Sequence, residues 1–328
     1  IFASIQTLSG ASGKTLDVSQ YEWVIIDEFH HAAASSYVKL MSRLNPAELV
    51  GLTATPERTD GVRVQDLFFD GRIASELRLW DAMELQLLSP FNYFGIGDDS
   101  DLSSVNWTKG RYKPDELSNA LITNEDARNL LLMRELKSKV GNLRQMRALV
   151  FCASVEHAER TMNFLNSKGL KTACITGETD SGDRRAALAK LKSGELQSIT
   201  SVDVLGEGVD IPSVDTVVML RPTESPLIFL QQLGRGLRRS RDKEFTTVLD
   251  FVMAHRAEYR SDLKFVALTG ASRSELKQAL DEGFPYLPAG CTITLDKLAQ
   301  ENIFKNIKNQ LSTSRKQLVA EEIGRAHV

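Results

Sequence analysis

Two adjacent carboxylates, Asp27 and Glu28, follow the short apolar run Trp-Val-Ile-Ile at residues 23–26. A continuous apolar run of this length is typical of a strand that is buried on both faces of a parallel sheet. Because α/β sheets bind ligands at the carboxyl ends of their strands, one carboxylate can hold Mg²⁺ while the other orients an attacking water. The alternative is an acidic cap for the following helix, which is the more frequent role of a bare Asp-Glu pair.

A second group is basic and lies far along the chain, where residues 231–239 read Gln-Gln-Leu-Gly-Arg-Gly-Leu-Arg-Arg. Arginine is always charged and its planar fork can grip two phosphate oxygens at once. Arg235 and Arg238 are therefore candidates to stabilise negative charge on a phosphate group. A solvated basic helix face and a nucleic-acid-binding patch are the alternatives.

The elements that position these residues follow from hydrophobic periodicity. Strand, helix and strand are predicted over residues 23–28, 30–44 and 49–54, which is a βαβ unit. A second parallel α/β series starts near Arg147, and Ser154 is a plausible cap for its first helix. Its predicted strands are 148–152, 172–175, 198–202, 216–220 and 247–251, and its predicted helices are 155–168 and 182–191.

Four further stretches complete the sequence-based prediction. Residues 1–5 have the composition of a strand, and residues 95–114 are rich in Asp, Ser and Gly, which predicts a loop or hinge. Helices are predicted over 274–280 and 295–311, around turn-rich segments that contain glycine and proline.

Four segments together resemble a known family. They resemble motifs II, III, V and VI of the DExH-type superfamily 2 helicases, and they are residues 27–30, 51–58, 203–212 and 231–239. This resemblance implies an α/β fold with two RecA-like parallel-sheet domains, the first of them partial, and a mainly helical C-terminal extension. The expected bounds are 1–90, 91–260 and 261–321, and residues 322–328 look like a translated sequencing adapter.

The resemblance also implies a role for individual residues. In ATP hydrolysis, Asp27 would coordinate Mg²⁺, Glu28 would be the catalytic base, and Arg235 and Arg238 would act as arginine fingers. The remaining implied roles are coupling for His30, Thr53, Thr55 and Gln231, nucleotide binding for Gly208 and Asp210, and contact with nucleic-acid phosphates for Gln6, Thr7, Thr176 and Gly177. The nucleic-acid residues are weak signals, since Ser, Thr and Gly in loops usually form turns.

A narrower resemblance rests on residues 53–61, 91–95 and 284–291. These segments resemble bacterial restriction-enzyme-like DEAD/DEAH helicases, which often carry an N-terminal phospholipase-D-like nuclease domain. The implied function is an ATP-dependent helicase or translocase that acts on nucleic acid, with DNA favoured over RNA. ATP and Mg²⁺ are the implied cofactors, and the full-length parent is expected to have the activity.

Residues 10–15 read Gly-Ala-Ser-Gly-Lys-Thr and end like a phosphate-binding P-loop. The P-loop pattern requires a glycine five residues before Gly13, where this sequence has Leu8. It also requires a following helix, but residues 16–22 run directly into the strand that precedes Asp27. We therefore expect a flexible loop here and a true motif I upstream of Ile1, so these 328 residues alone should lack ATPase activity.

Composition narrows the remaining alternatives. No apolar run approaches the roughly 20 residues that cross a bilayer, and the three cysteines lack metal-ligand spacing, as in a cytoplasmic protein with reduced thiols. The net charge of −3 does not indicate nucleic acid by itself, although main-chain N–H groups and a local basic groove can bind phosphates. A non-catalytic nucleic-acid-binding scaffold and a small-molecule kinase stay open, but a scaffold has no need for Glu28, Arg235 and Arg238.

Overall fold

A computed structural model describes most of the chain and divides it into two compact units, residues 1–76 and 77–328. Some sequence-based predictions lie outside the described residues: Thr55, Gly208, the loop at 10–15 and the segment 322–328. The described residues are 1–9, 17–32, 34–53, 64–108, 110–205, 210–223, 225–271 and 273–308.

The first unit contains the predicted βαβ arrangement. Strands β1 (Trp23–Ile26) and β2 (Glu48–Gly51) pair in parallel, and α2 (Ser35–Met41) lies between them in the chain. The helix is shorter than predicted because its first turn is a separate 3₁₀ turn, Phe29–His31, which buries Phe29 and His30. The other described helix of this unit after β2 is α3 (Val64–Phe68).

The strand predicted over residues 1–5 is wrong. Residues 1–4 have no regular structure, and a short helix, α1 (Ile5–Ser9), begins at the fifth residue. The reason is local: the Ser4 hydroxyl accepts the Thr7 backbone N–H at 3.0 Å, which is the hydrogen bond of a helix N-cap.

The second unit is built on a parallel sheet. Seven of its described strands form one sheet in the order β11-β3-β10-β9-β6-β8-β7, with every neighbouring pair parallel. Their bounds are β3 Phe91–Asp101, β6 Ala148–Phe151, β7 Thr172–Ile175, β8 Ser198–Ser201, β9 Thr216–Met219, β10 Thr246–Ala254 and β11 Thr292–Leu295. A separate hairpin joins β4 (Trp107–Thr108) to β5 (Arg111–Tyr112). The α/β class and the parallel topology are therefore as predicted.

Helices cover both faces of this sheet. Alternate residues of β6 enter two hydrophobic cores, with Leu149 and Phe151 in one and Ala148 and Val150 in the other. This alternation is why the strands read as continuous apolar runs. The helices are α4 Leu79–Glu84, α5 Pro114–Thr123, α6 Glu125–Lys139, α7 Val155–Ser167, α8 Ser181–Ser193, α9 Pro226–Leu237, α10 Ser261–Thr269, α11 Arg273–Glu282 and α12, residues 297–308.

The loop predicted over residues 95–114 is wrong for its first part, because β3 continues to Asp101. Its glycines are there for packing and do not break the strand. A Cβ on Gly95 would overlap the side chain of Leu295, and one on Gly97 would overlap that of Leu298. Glycine inside a strand often marks such a close approach.

Two boundaries differ from those expected. The division falls after Glu76 and not at residue 90, since α4 packs on the second unit, where Trp80 Nε1 donates to the Leu268 carbonyl at 2.7 Å. The expected C-terminal extension is partly helical, but its strand β11 pairs with β3 and completes the main sheet. Among the described residues, no helix has the length and apolarity to cross a membrane.

Candidate active site

Asp27 and Glu28 lie directly after the carboxyl end of β1. Glu28 has a left-handed backbone (φ 50°, ψ 47°), which turns the chain out of the strand, and Asp27 Oδ1 accepts the Glu28 N–H at 2.9 Å. The parallel pairing continues past the strand end, because Leu52 N–H donates to the Ile26 carbonyl and Phe29 N–H donates to the Leu52 carbonyl. The carboxylates are thus held on a backbone that two strands fix.

Phe29 anchors this turn in the core of the first unit. Its ring is 1% exposed and packs against Phe68 and Phe69, with ring centroids 5.4 and 5.1 Å away. A Cβ on Gly51 would lie 2.6 Å from the Phe29 ring. The glycine at the end of β2 is therefore needed for space, and it lets the Phe29 ring pack against the strand beside the carboxylates.

His30 connects the segment that follows β1 to the segment that follows β2. Its side chain is buried, and its Nδ1 atom lies 3.1 Å from Thr53 Oγ1 and 3.3 Å from Glu28 Oε2. A proton on Nδ1 can be donated to either oxygen. Three residues that were singled out in the sequence, Glu28, His30 and Thr53, thus lie in one contact group around the imidazole.

The donor chemistry of this turn fits Mg²⁺. Asp27 is exposed, and the Glu28 side chain is 31% exposed although its Oε2 atom is buried. Over the described residues there is no cluster of three or more His, Cys, Asp or Glu side chains that could hold a metal. Mg²⁺ needs no such cage, because it keeps several waters and is commonly bound by one or two carboxylates and the substrate phosphates.

In the second unit, the candidate arginines come at the end of α9. The helix starts with Pro226 and ends at Leu237, so Arg235 lies in its last turn and Arg238 is its C-cap residue. A Cβ on Gly236 would lie 2.6 and 2.7 Å from methyl groups of Thr246 and Val217, so this glycine lets the helix end lie directly on the sheet.

Arg238 forms an ion pair with Asp210 through its Nη1 atom. The Arg238 and Asp210 side chains are 38% and 73% exposed, so the pair is open to solvent and to a ligand. These residues come from the segments that resemble motifs V and VI, and the structure brings them together. Gln231 lies earlier on the same helix and is half-buried.

Comparison with known proteins gives two family matches in the order of these segments. Residues 1–58 match the family "Type III restriction enzyme, res subunit", and residues 128–240 match "Helicase conserved C-terminal domain". These matches support the superfamily 2 helicases as the family and, within them, the restriction-enzyme-like group, as the narrower resemblance implied.

Relatives of this chain include restriction and translocase proteins. It is 27% identical to the endonuclease subunit of the type I restriction enzyme EcoAI from Escherichia coli, over 71% of the chain and 32% of that protein. It is 28% identical to IRC3 of Saccharomyces cerevisiae, named as an ATP-dependent helicase, over 77% of the chain and 37% of that protein. It is 25% identical to the DNA 3'-5' translocase XPB2 of Sulfurisphaera tokodaii, over 74% and 61%.

Solved structures agree on the fold. A fragment of a type I restriction HsdR subunit from Vibrio vulnificus aligns with a TM-score of 0.58 at 27% identity, over 73% of this chain and 45% of that one. The type ISP restriction-modification enzyme LlaBIII, bound to DNA, aligns with a TM-score of 0.62 at 15% identity, over 93% and 24%, which shows the RecA-like fold alone. The chain spans 37% to 49% of the length of the first three relatives that match it.

The candidate nucleic-acid residues lie in two places. Gln6 and Thr7 are exposed on α1. Thr176 follows β7 and is buried, and its hydroxyl accepts the Glu178 N–H at 3.3 Å, while Gly177 beside it is exposed. The Thr176 hydroxyl thus stabilises a turn, as is common for threonine in loops, and the exposed backbone of Gly177 is the part that a ligand can reach.

Sequence reasoning missed Lys243. Its ammonium group donates to backbone carbonyls in the segment after Asp210 and in the helix end that precedes Arg238. Lys243 lies in the run Arg-Asp-Lys-Glu at 241–244, which reads as a solvated charged turn. Nothing in the local pattern distinguishes it from the exposed lysines of the surface. Its contacts depend on segments about thirty residues away in the chain, so only the folded structure identifies it.

Proposed function

We propose that this chain is the motor part of an ATP-dependent helicase or translocase that acts on DNA. The observation that carries the proposal is the contact group of Glu28, His30 and Thr53, since the proposed catalytic carboxylate, an imidazole and a threonine that follows the next strand meet there. Such a group can link the state of ATP at Glu28 to the segment that follows β2. Helicase relatives and family matches support the class of activity.

In the proposed reaction, residues of each unit have a role in ATP hydrolysis. Asp27 would hold Mg²⁺, which when bound neutralises charge on the phosphate oxygens. Glu28 accepts a proton from the attacking water and directs the water toward the γ-phosphorus. Arg235 and Arg238 stabilise the negative charge that develops on the transferred group, and Asp210 reads the ribose while it orients Arg238.

Coupling to movement is proposed to pass through the residues around His30. The Nδ1 atom of the imidazole contacts both Glu28 and Thr53, and Gln231 and Thr55 are proposed to extend the relay. Gly208 contributes its backbone to nucleotide binding. Contacts to phosphates of the nucleic acid are proposed for Gln6 and Thr7, and for the turn of Thr176 and Gly177 through the exposed backbone of Gly177. Such contacts position a strand without reading its sequence.

The 328 residues by themselves are proposed not to hydrolyse ATP. They contain no complete P-loop pattern, so the lysine and the N–H cradle for the β- and γ-phosphates would come from residues outside this sequence. DNA is favoured over RNA because relatives include a type I restriction subunit and a protein named as a DNA translocase. A nuclease domain elsewhere in the full-length protein would agree with that kinship.

The deciding experiment measures ATP turnover of the full-length protein with no nucleic acid, with duplex DNA and with RNA. We expect turnover to rise with DNA and to be lost in Glu28→Gln. Glu48→Gln is the matched control, because Glu48 is an exposed glutamate at the start of β2. DNA binding without turnover in the wild type would favour the non-catalytic scaffold.

A further inference from the structure

Lys243 lies on the turn between α9 and β10, with its ammonium group inside the fold. Its Nζ atom donates to three backbone carbonyls: Gly236 at 2.7 Å, Val214 at 2.9 Å and Pro212 at 3.0 Å. A lysine ammonium has three N–H donors and no acceptor, so this set uses all of them.

The three carbonyls belong to the two segments that carry the proposed nucleotide-binding groups. Gly236 is between Arg235 and Arg238 at the end of α9, while Pro212 and Val214 follow Asp210. The ammonium group therefore cross-links the helix end to the loop. It also places a positive charge at the C-terminus of α9, where the helix dipole favours a cation.

The surroundings of Lys243 indicate a specific, partly buried contact. Burial lowers the pKa of Lys243 to about 8, and the nearby carboxylate of Asp215 opposes this shift. The Thr246 hydroxyl donates to the same Gly236 carbonyl at 2.5 Å, so the helix end is held from two directions. An exposed lysine that merely neutralised the surface would not make these contacts.

We propose that Lys243 is a positioning residue that locks the loop after Asp210 to the end of α9, and so fixes how Arg238 and Asp210 are presented to ATP. Lys243 acts through these two residues and does not itself touch the nucleotide. The kinetic part of this inference rests on the proposed ATPase function, whereas the lock itself does not.

The lock is tested on the 328-residue chain by hydrogen–deuterium exchange. Val214 N–H is bonded to the Ile211 carbonyl within the loop, so its protection reports on the lock. We expect Lys243→Met to speed exchange at least tenfold at residues 211–214 and 234–238, and Lys243→Arg to be intermediate. Lys297→Met is the control, because that lysine is 92% exposed. Unchanged exchange in folded Lys243→Met would overturn the proposal.

The positioning role is tested by kinetics of the full-length protein. We expect Lys243→Met to lower kcat by about tenfold or more with a smaller change in KM, since the arginine acts in the transition state. In an Arg238→Ala background, the same change should have no further effect on kcat. If Lys243→Met has a normal kcat, or if it lowers kcat equally in the wild-type and Arg238→Ala backgrounds, Lys243 has only a structural role. A wild type without turnover would contradict the proposed function and leave the exchange result standing.

Discussion

His30 Nδ1 lies 3.1 Å from the hydroxyl of Thr53, and the two residues come from the ends of neighbouring parallel strands. The same nitrogen is 3.3 Å from Glu28 Oε2, so one imidazole edge faces both the proposed catalytic base and the next strand. We therefore expect a change in the charge near Glu28 to alter the hydrogen bond between His30 and Thr53.

The first prediction concerns this contact. Thr53→Val keeps the shape and removes the hydroxyl, and we expect it to lower DNA-stimulated turnover of the full-length protein by up to about tenfold, the value of one hydrogen bond. His30→Ala should have a similar or larger effect. The double variant should match His30→Ala alone, because both changes break one contact. Additive losses would argue against a shared relay.

The second prediction concerns the arginine in the last turn of α9. Arg235→Ala should lower kcat of the full-length protein by about 10³-fold or more, on the usual weight of an arginine finger. Arg235→Lys should recover little, because an ammonium group cannot grip two phosphate oxygens in one plane. Arg185→Ala, on the exposed face of α8, is the control. Near-normal turnover in Arg235→Ala would contradict the assignment of Arg235 as an arginine finger.

The third prediction compares two glycines of α9. An added Cβ at Gly236 meets side chains of the sheet at 2.6 and 2.7 Å, whereas one at Gly234 meets nothing within 4 Å. Gly236→Ala should therefore destabilise the second unit by about 1–3 kcal/mol through overpacking. Gly234→Ala should stabilise it by up to about 1 kcal/mol, since alanine favours helix. Urea denaturation measures both, and equal effects would contradict the packing of α9.

The fourth prediction concerns the buried ion pair between Arg128 and Asp98. Arg128 Nε donates to Asp98 at 2.6 Å, and its other nitrogens donate to the carbonyls of Leu220 and Leu121 at 2.8 and 3.2 Å. Arg128→Met leaves a buried carboxylate without its partner and should cost about 3–5 kcal/mol of unfolding free energy. Arg128→Met with Asp98→Asn should cost less than the single change. A double variant that is less stable than Arg128→Met would contradict this account.

The fifth prediction concerns acid stability of the second unit. Burial, assisted by Arg128, lowers the pKa of His157 to about 3, and burial beside Lys264 lowers that of His255 to about 3. Both histidines are thus neutral in the folded state, where His157 Nδ1 accepts the Ala153 N–H at 3.3 Å. The unfolded state binds protons below its pKa of 6.5 while the folded state does not, so stability is present above pH 6.5 and is lost as the pH falls toward 3.

The measurement is urea denaturation between pH 4 and 7. Each histidine should contribute at most about 1.4 kcal/mol per pH unit to the loss. His157→Gln should reduce the slope of the unfolding free energy against pH by up to about 1.4 kcal/mol per pH unit, which corresponds to one bound proton. This holds even if the variant is less stable than the wild type at pH 7. A slope that is the same in the variant and the wild type would show that His157 titrates alike in both states.

Much of this protein follows from local patterns in the sequence. Apolar runs predicted β6 to β10 of the main sheet to within a few residues, because a strand buried on both faces leaves little choice of residue type, whereas β3 and β11 were not predicted as strands. Ser154 was predicted as the cap of α7, and its hydroxyl accepts the His157 N–H at 3.1 Å. The segments around Asp27 and Arg235 likewise resembled motifs of the superfamily 2 helicases, and the family matches agree with that resemblance.

The tertiary structure decided what local patterns could not. The segment after Gly95 looked like a loop because its glycines were read as breakers, whereas they give room to side chains of β11 and α12. The contacts of His30 with Thr53, of Arg238 with Asp210 and of Lys243 with Pro212 join residues 23, 28 and 31 positions apart. A hydrogen bond depends on distances of a few tenths of an ångström, and only the packing of whole elements brings such distant groups to that precision.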